Sequence, residues 1–287
     1  MTKEPQHKAP SRADKHGAWR PILAAFQFLS RFPVRAELDF TSDLLRRSIT
    51  YYPLVGAAIG VVVWAGGLFA DWLLPSFPAA ILCLLIWVGL TGGLHLDGWM
   101  DTADGLLSYR SRDKMLDIMK DSRVGAMGVL ACVLLLILKA SLLTSLFQGC
   151  GMLASGLAIW LAPLWSRWFM TRAMHRWPKA RQGEGLAAQF NGFSERDVWG
   201  STIMAVTLSI VVLLLTLLVL LGGMDESTLL RSLLFIGLSP IVAWAAGTWA
   251  ARRINAKLGG LTGDTYGALG EGLEAVLLLF AVLIFSN

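Results

Sequence analysis

The sequence predicts an all-α protein, a polytopic integral membrane bundle of about seven transmembrane helices with an N-terminal helix lying at the membrane surface. Three observations predict it. Of 287 residues, 55% are hydrophobic and only 16% charged, with a mean hydropathy of +0.58, whereas a soluble domain carries about a quarter charged residues. Uncharged apolar runs recur at lengths near the ~20 residues that a helix needs to cross the hydrocarbon core. Between those runs, Lys and Arg gather in alternate loops, the distribution that marks cytoplasmic ones.

In chain order, residues 1–18 are polar and basic with no apolar core or small-residue cleavage site, and are expected to be a disordered extension, not a cleavable signal. The stretch Trp19 to Phe32 is too short to span and is interrupted by Arg20 and Arg31. Its mixed faces suit a helix in the interface plane, with a loosely packed cytosolic helix as the alternative. Spans are then expected at 51–71, 78–96, 125–147, 151–170, 198–222, 229–250 and 271–286, all within one membrane catalytic domain, 19–287. No internal repeat or low-complexity tract divides it.

Residues 1–50, 97–124, 167–197 and 251–270 hold nine, five, six and three Lys or Arg, 23 of the 25 in the chain, and all fall on one side of a seven-span chain. That side should face the cytoplasm. Topology and anionic headgroups account for the net charge of +5 without any nucleic-acid partner. Cys83, Cys132 and Cys150 lie in or beside apolar segments without metal-type spacing and read as packing residues.

Against this background "GGLHLDGWMDTADGLLSY" (92–109) stands out. If the helix continues past Leu96, Asp97, Asp101 and Asp104 stand at i, i+4 and i+7 on one face. Charge at a span end is costly unless paired, and three like charges this close call for a cation. Hard oxygen ligands select Mg²⁺, Mn²⁺ or Ca²⁺, and Mg²⁺ leaves coordination positions for phosphate. Gly98 and Gly105 leave room for a phosphate or a neighbouring helix beside those carboxylates.

Further polar segments share that side. "KDSRVG" offers Asp121 with Lys120 and Arg123 where the chain re-enters the membrane, while Asp113 and Asp117 before it suit a solvated amphipathic helix. "RWPKARQGEGLAAQFNG" (176–192) is a Gly-rich basic loop containing Arg181, and "GGLTGDTYGALGEGLEA" (259–275) joins Asp264 to Glu271 and Glu274. For Glu271, helix N-terminal stabilisation is an equally good reading. Metal-assisted phosphoryl transfer is the chemistry these residues share. A secondary transporter of metal ions is the alternative from another class, disfavoured because the acids cluster at one face with no inverted repeat; a structural scaffold leaves the three aspartates unexplained.

"GGLHLDGWMDTADGL", "IMKDSRVGAMG", "ARQGEGLAAQF", "GGLTGDTYGALGE" and the early "FLSRFPV" (28–34) resemble, in the same order, the motifs of the cobalamin synthase family, the adenosylcobinamide-GDP ribazoletransferases. Trp99 and Met100 depart from it, standing where smaller residues are expected. The D-G-x-x-A-R run of CDP-alcohol phosphotransferases, the nearest alternative, is absent. The resemblance implies a multi-pass enzyme of the bacterial cytoplasmic membrane that joins adenosylcobinamide-GDP to α-ribazole or its 5′-phosphate and releases GMP. It also implies a divalent cation, Mg²⁺ with Mn²⁺ as substitute.

On that reading Asp97, Asp101 and Asp104 are the metal ligands. Lys120, Arg123, Arg181, Asp264, Glu271, Glu274 and Arg31 bind substrate, and Asp104 or Asp121, or else His95, accepts the ribose proton. Partners beyond the two small substrates and the bilayer would be a second copy of the chain or other enzymes of corrinoid synthesis.

Overall fold

Proline and glycine set most of the helix boundaries. The computed structural model describes residues 17, 19–181, 192, 194–220 and 226–286, with the side chains of 219 and 220 left aside. The expected extension, apart from residue 17, and residues 182–191 of the basic loop lie outside the described residues. Helix α1 (Arg20–Leu29) starts with Pro21 in its first turn, where the missing N–H costs nothing. Helix α2 (Ser42–Ser48) is capped by the Thr41 hydroxyl, which accepts from the Leu44 N–H. A 3₁₀ turn leads into α3 (Tyr52–Leu73), again with a proline in its first turn.

Helix α4 (Ser76–Thr91) does not run on to Leu96 as expected. Gly92 and Gly93 both adopt left-handed conformations, φ 65° and 72°, which residues bearing a Cβ rarely take. Their N–H groups return to the Gly89 and Val88 carbonyls and close α4. The chain then turns by 90° into α5 (Leu94–Leu106). The second expected span is therefore a broken one.

The bundle continues with the short α6 (Arg112–Ile118), then α7 (Ala126–Gly149), α8 (Gly151–Arg176), α9 (Glu195–Leu220), α10 (Glu226–Leu258) and α11 (Gly263–Phe285). Among the described residues, five helical segments are long and apolar enough to cross a membrane, or six if the bent α4–α5 pair counts as one span. The expected span at 151–170 is not among them. Helix α8 still runs 26 residues, about 39 Å at 1.5 Å per residue. It is the centre of the bundle and packs most extensively on α3, where Gly56 and Gly60 face the backbone at Pro163 and Trp160. A helix surrounded by protein need not be lipid-apolar, so α8 carries Ser155, Ser166, Arg167 and Thr171, all buried.

Helix α5 packs chiefly against α11. Gly98 makes that approach close enough that a Cβ there would lie 2.5 Å from the Asp264 carbonyl oxygen. Gly98→Ala is therefore expected to cost about 1–3 kcal/mol through overpacking. Its thermal midpoint in detergent checks this, and a wild-type midpoint would mean that the α5–α11 contact yields easily.

Candidate active site

All three sequence-predicted aspartates lie on α5, at the spacing that puts them on one face. Asp97 is exposed and Asp101 and Asp104 are half-buried. The close α5–α11 crossing brings Asp264, in the first turn of α11, into their neighbourhood. Asp101 sits in the combined field of Asp97, Asp264 and Asp104, with Arg181 as the opposing cation. Trp99, the departure from the family pattern, points to the opposite side of α5 with Thr102, Ala103 and Leu106, so its bulk does not crowd the carboxylates.

Asp104 has a second task. Its Oδ2 accepts from the Gly125 N–H at 2.7 Å and its Oδ1 from the Gly128 N–H at 2.8 Å. It therefore caps the first turn of α7 from outside that helix, placing negative charge at the positive end of the dipole. With both oxygens engaged, Asp104 contributes charge to the acidic face more readily than a free ligand atom.

Arg181 reaches this face because its loop is clamped. Lys179 and Leu261 form an isolated parallel bridge, with the Ala180 N–H on the Leu261 carbonyl at 2.9 Å and the Leu261 N–H on the Pro178 carbonyl at 2.8 Å. Arg112 completes the clamp, donating to the Leu258 carbonyl at 2.7 Å and the Ala180 carbonyl at 2.8 Å. Arg181 then donates to the Leu116 carbonyl at 2.8 Å and approaches Asp264 at 3.8 Å. Sequence reasoning passed over Arg112, and no local spacing marks its targets, which lie 146 and 68 residues away.

Glu271 and Glu274 are not at this surface. Both are buried on α11, and Lys139 of α7 bridges them with 2.5 Å contacts to each. Arg167 of α8 pairs with Glu274 and donates to His95 Nδ1 at 3.1 Å. Arg167, which falls in the basic stretch 167–197, is not a loop residue but lies fully buried within α8. His95 is equally interior, so it holds α5 to α8 through this cluster; its Nε2 has no hydrogen-bond partner among the described residues. Glu271 stands seven residues beyond Asp264, about 10 Å further along α11.

The remaining predicted residues are scattered. Asp121 and Arg123 are exposed and pair with each other at 2.7 Å, which holds the Asp121 carboxyl down at about 2. Such a carboxylate is a poor proton acceptor at neutral pH. Asp121→Asn is accordingly expected to leave product formation within about two- to three-fold of wild type, read by following GMP release; a hundred-fold loss would restore it as the base. Lys120 is exposed beside them. Arg31 is exposed too, and its side chain fills the space beside Gly92 while its N–H donates to the Leu90 carbonyl at 2.7 Å, so it braces the α4–α5 break.

Could this face hold a divalent cation? Asp97, Asp101 and Asp264 supply hard oxygen donors in one electrostatic neighbourhood, which suits Mg²⁺ or Mn²⁺. Among the described residues, however, no three His, Cys, Asp or Glu side chains already stand in a metal-binding group. The donor chemistry fits, and the side chains must converge to use it.

Residues 21–282 match the family model described as cobalamin-5-phosphate synthase. An adenosylcobinamide-GDP ribazoletransferase of Brevibacillus brevis is 39% identical over 267 residues, covering 91% of this chain and 97% of the relative. The proteins of the same name from Roseiflexus sp. and Pseudomonas fluorescens are 36% and 35% identical, covering 91% and 92% of this chain and 89% and 99% of their own lengths. No solved structure matches. The match runs from α1 nearly to the end of α11 and takes in the acidic face and the clamped loop, and the chain belongs to the cobalamin-5-phosphate synthase family.

Proposed function

We propose that this chain is an adenosylcobinamide-GDP ribazoletransferase acting at the loop face that carries α5, with that face toward the cytoplasm of a bacterial inner membrane. The ribose 3′-hydroxyl of α-ribazole or its 5′-phosphate attacks the phosphorus bonded to the cobinamide arm. The bond from that phosphorus to the bridging oxygen breaks, and GMP leaves with that oxygen. The hydroxyl proton passes to a carboxylate of the α5 face, since His95 lies in the interior and Asp121 is pinned by Arg123. The observation that carries this reading is the gathering of Asp97, Asp101 and Asp264 beside Arg181 in a chain of this family.

Asp97, Asp101 and Asp264 are the residues to hold Mg²⁺, which when bound supplies neutralisation of the diphosphate charge. Arg181 is placed to contact a phosphate oxygen. The test is purified protein in lipid nanodiscs with adenosylcobinamide-GDP and α-ribazole 5′-phosphate, with Mg²⁺ or with chelator, following GMP and corrinoid by chromatography. Mg²⁺-dependent GMP release with a joined corrinoid product is expected. Folded protein that releases no GMP would discard the reading, and cation flux would be measured next.

A further inference from the structure

On the side of α5 away from its carboxylates lies an apolar groove of about 850 Å³ between α5, α7, α10 and α11, within the size range of small-molecule sites. Its walls run from Met127 to Leu138 on α7, from Ile254 back to Ala246 on α10 and from Ala268 to Leu279 on α11. Each wall starts within a turn or two of the helix end at the loop face. The α11 wall, twelve residues, is about 16 Å long. That is half of a ~30 Å hydrocarbon core, the depth of one leaflet.

The rim at the loop face is basic. Arg253 lies over the Trp249 ring at 5.7 Å and Lys257 over the Tyr109 ring at 5.7 Å, and Lys257 also donates to the carbonyl of Leu106, itself a groove residue. Both cations are exposed and neither pairs with a carboxylate among the described residues. An apolar slot one leaflet deep beneath two cations complements one kind of molecule: acyl chains below, a phosphate at the interface. The polar substrates of the proposed reaction belong to the opposite side of α5.

We propose that this groove is a binding site for an anionic phospholipid, its acyl chains between α7, α10 and α11 and its phosphate at Arg253 and Lys257. The bound lipid then backs the apolar face of α5 while the other face works on substrate.

The test is native mass spectrometry of the full chain, delipidated in detergent and titrated with phosphatidylglycerol or with phosphatidylcholine. Wild type is expected to retain one phosphatidylglycerol per chain in preference to phosphatidylcholine. Arg253→Gln and Lys257→Gln should each weaken phosphatidylglycerol about five-fold, the effect of one cation near a lipid phosphate, while leaving phosphatidylcholine unchanged. Ala131→Phe, which fills the groove, should remove both lipids. Equal retention of the two lipids, or no effect of the rim variants, would overturn the proposal. So would a wild-type dimer that carries no lipid and that Ala131→Phe dissociates, because the groove would then join two copies of the chain.

Discussion

Asp97→Asn and Asp101→Asn are each expected to lower product formation by about 10²- to 10³-fold, the loss seen when one preorganised charge-stabilising group is removed from an active site. Asparagine keeps the size and the helix position, so the protein should still insert and melt as wild type does. The loss should deepen when Mg²⁺ is limiting and ease as Mg²⁺ is raised, because a weakened cation site is filled by mass action. Measuring GMP release across a Mg²⁺ series for both variants checks this. Turnover near wild type in either would remove the acidic face of α5 from the chemistry. Glu226, at the start of α10 on the opposite side from the loop face, is the matched control, and Glu226→Gln should stay within about two-fold.

The second large effect is on stability. In the interior cluster, Lys139 and Arg167 balance Glu271 and Glu274. Glu274→Gln removes one member and leaves two buried cations sharing one carboxylate. Breaking a buried pair in this way costs about 3–5 kcal/mol. A lowered unfolding midpoint in detergent is expected for Glu274→Gln. Adding Lys139→Met to the same chain restores charge balance and should recover much of the loss. If the double variant is no more stable than the single one, the carboxylate matters for its packing and not for its charge.

That cluster also shows where sequence reading ends. The three aspartates of α5 were legible because i, i+4 and i+7 positions share a face by helix geometry alone. The partners of Glu271 and Glu274 were not, since Lys139 lies 132 and 135 residues away and only packing brings α7 to α11. Asp104 read as a ligand because its targets are backbone N–H groups, which no side-chain pattern announces.

Hydropathy found the apolar helices but set α8 beside them as an equal, although its polar residues belong to a helix sheathed in protein. The glycines at 92 and 93 were visible, yet a pair of glycines states only that a turn is permitted. Its 90° angle goes with the packing of α5 on α11, a long-range contact that no local spacing announces.

That angle bears on the membrane itself. Helix α4 has 16 residues, about 24 Å of rise, against ~30 Å of hydrocarbon. A helix that stops short is expected to leave its crosswise successor within the leaflet's boundary layer, not above it. Bilayer thickness therefore decides whether the carboxylates of α5 meet open water or a layer of headgroups, since mismatch is accommodated by thinning or tilt at a modest cost per ångström. The same chain should then work as a shallow shelf in a thin membrane and as a sunken one in a thick membrane.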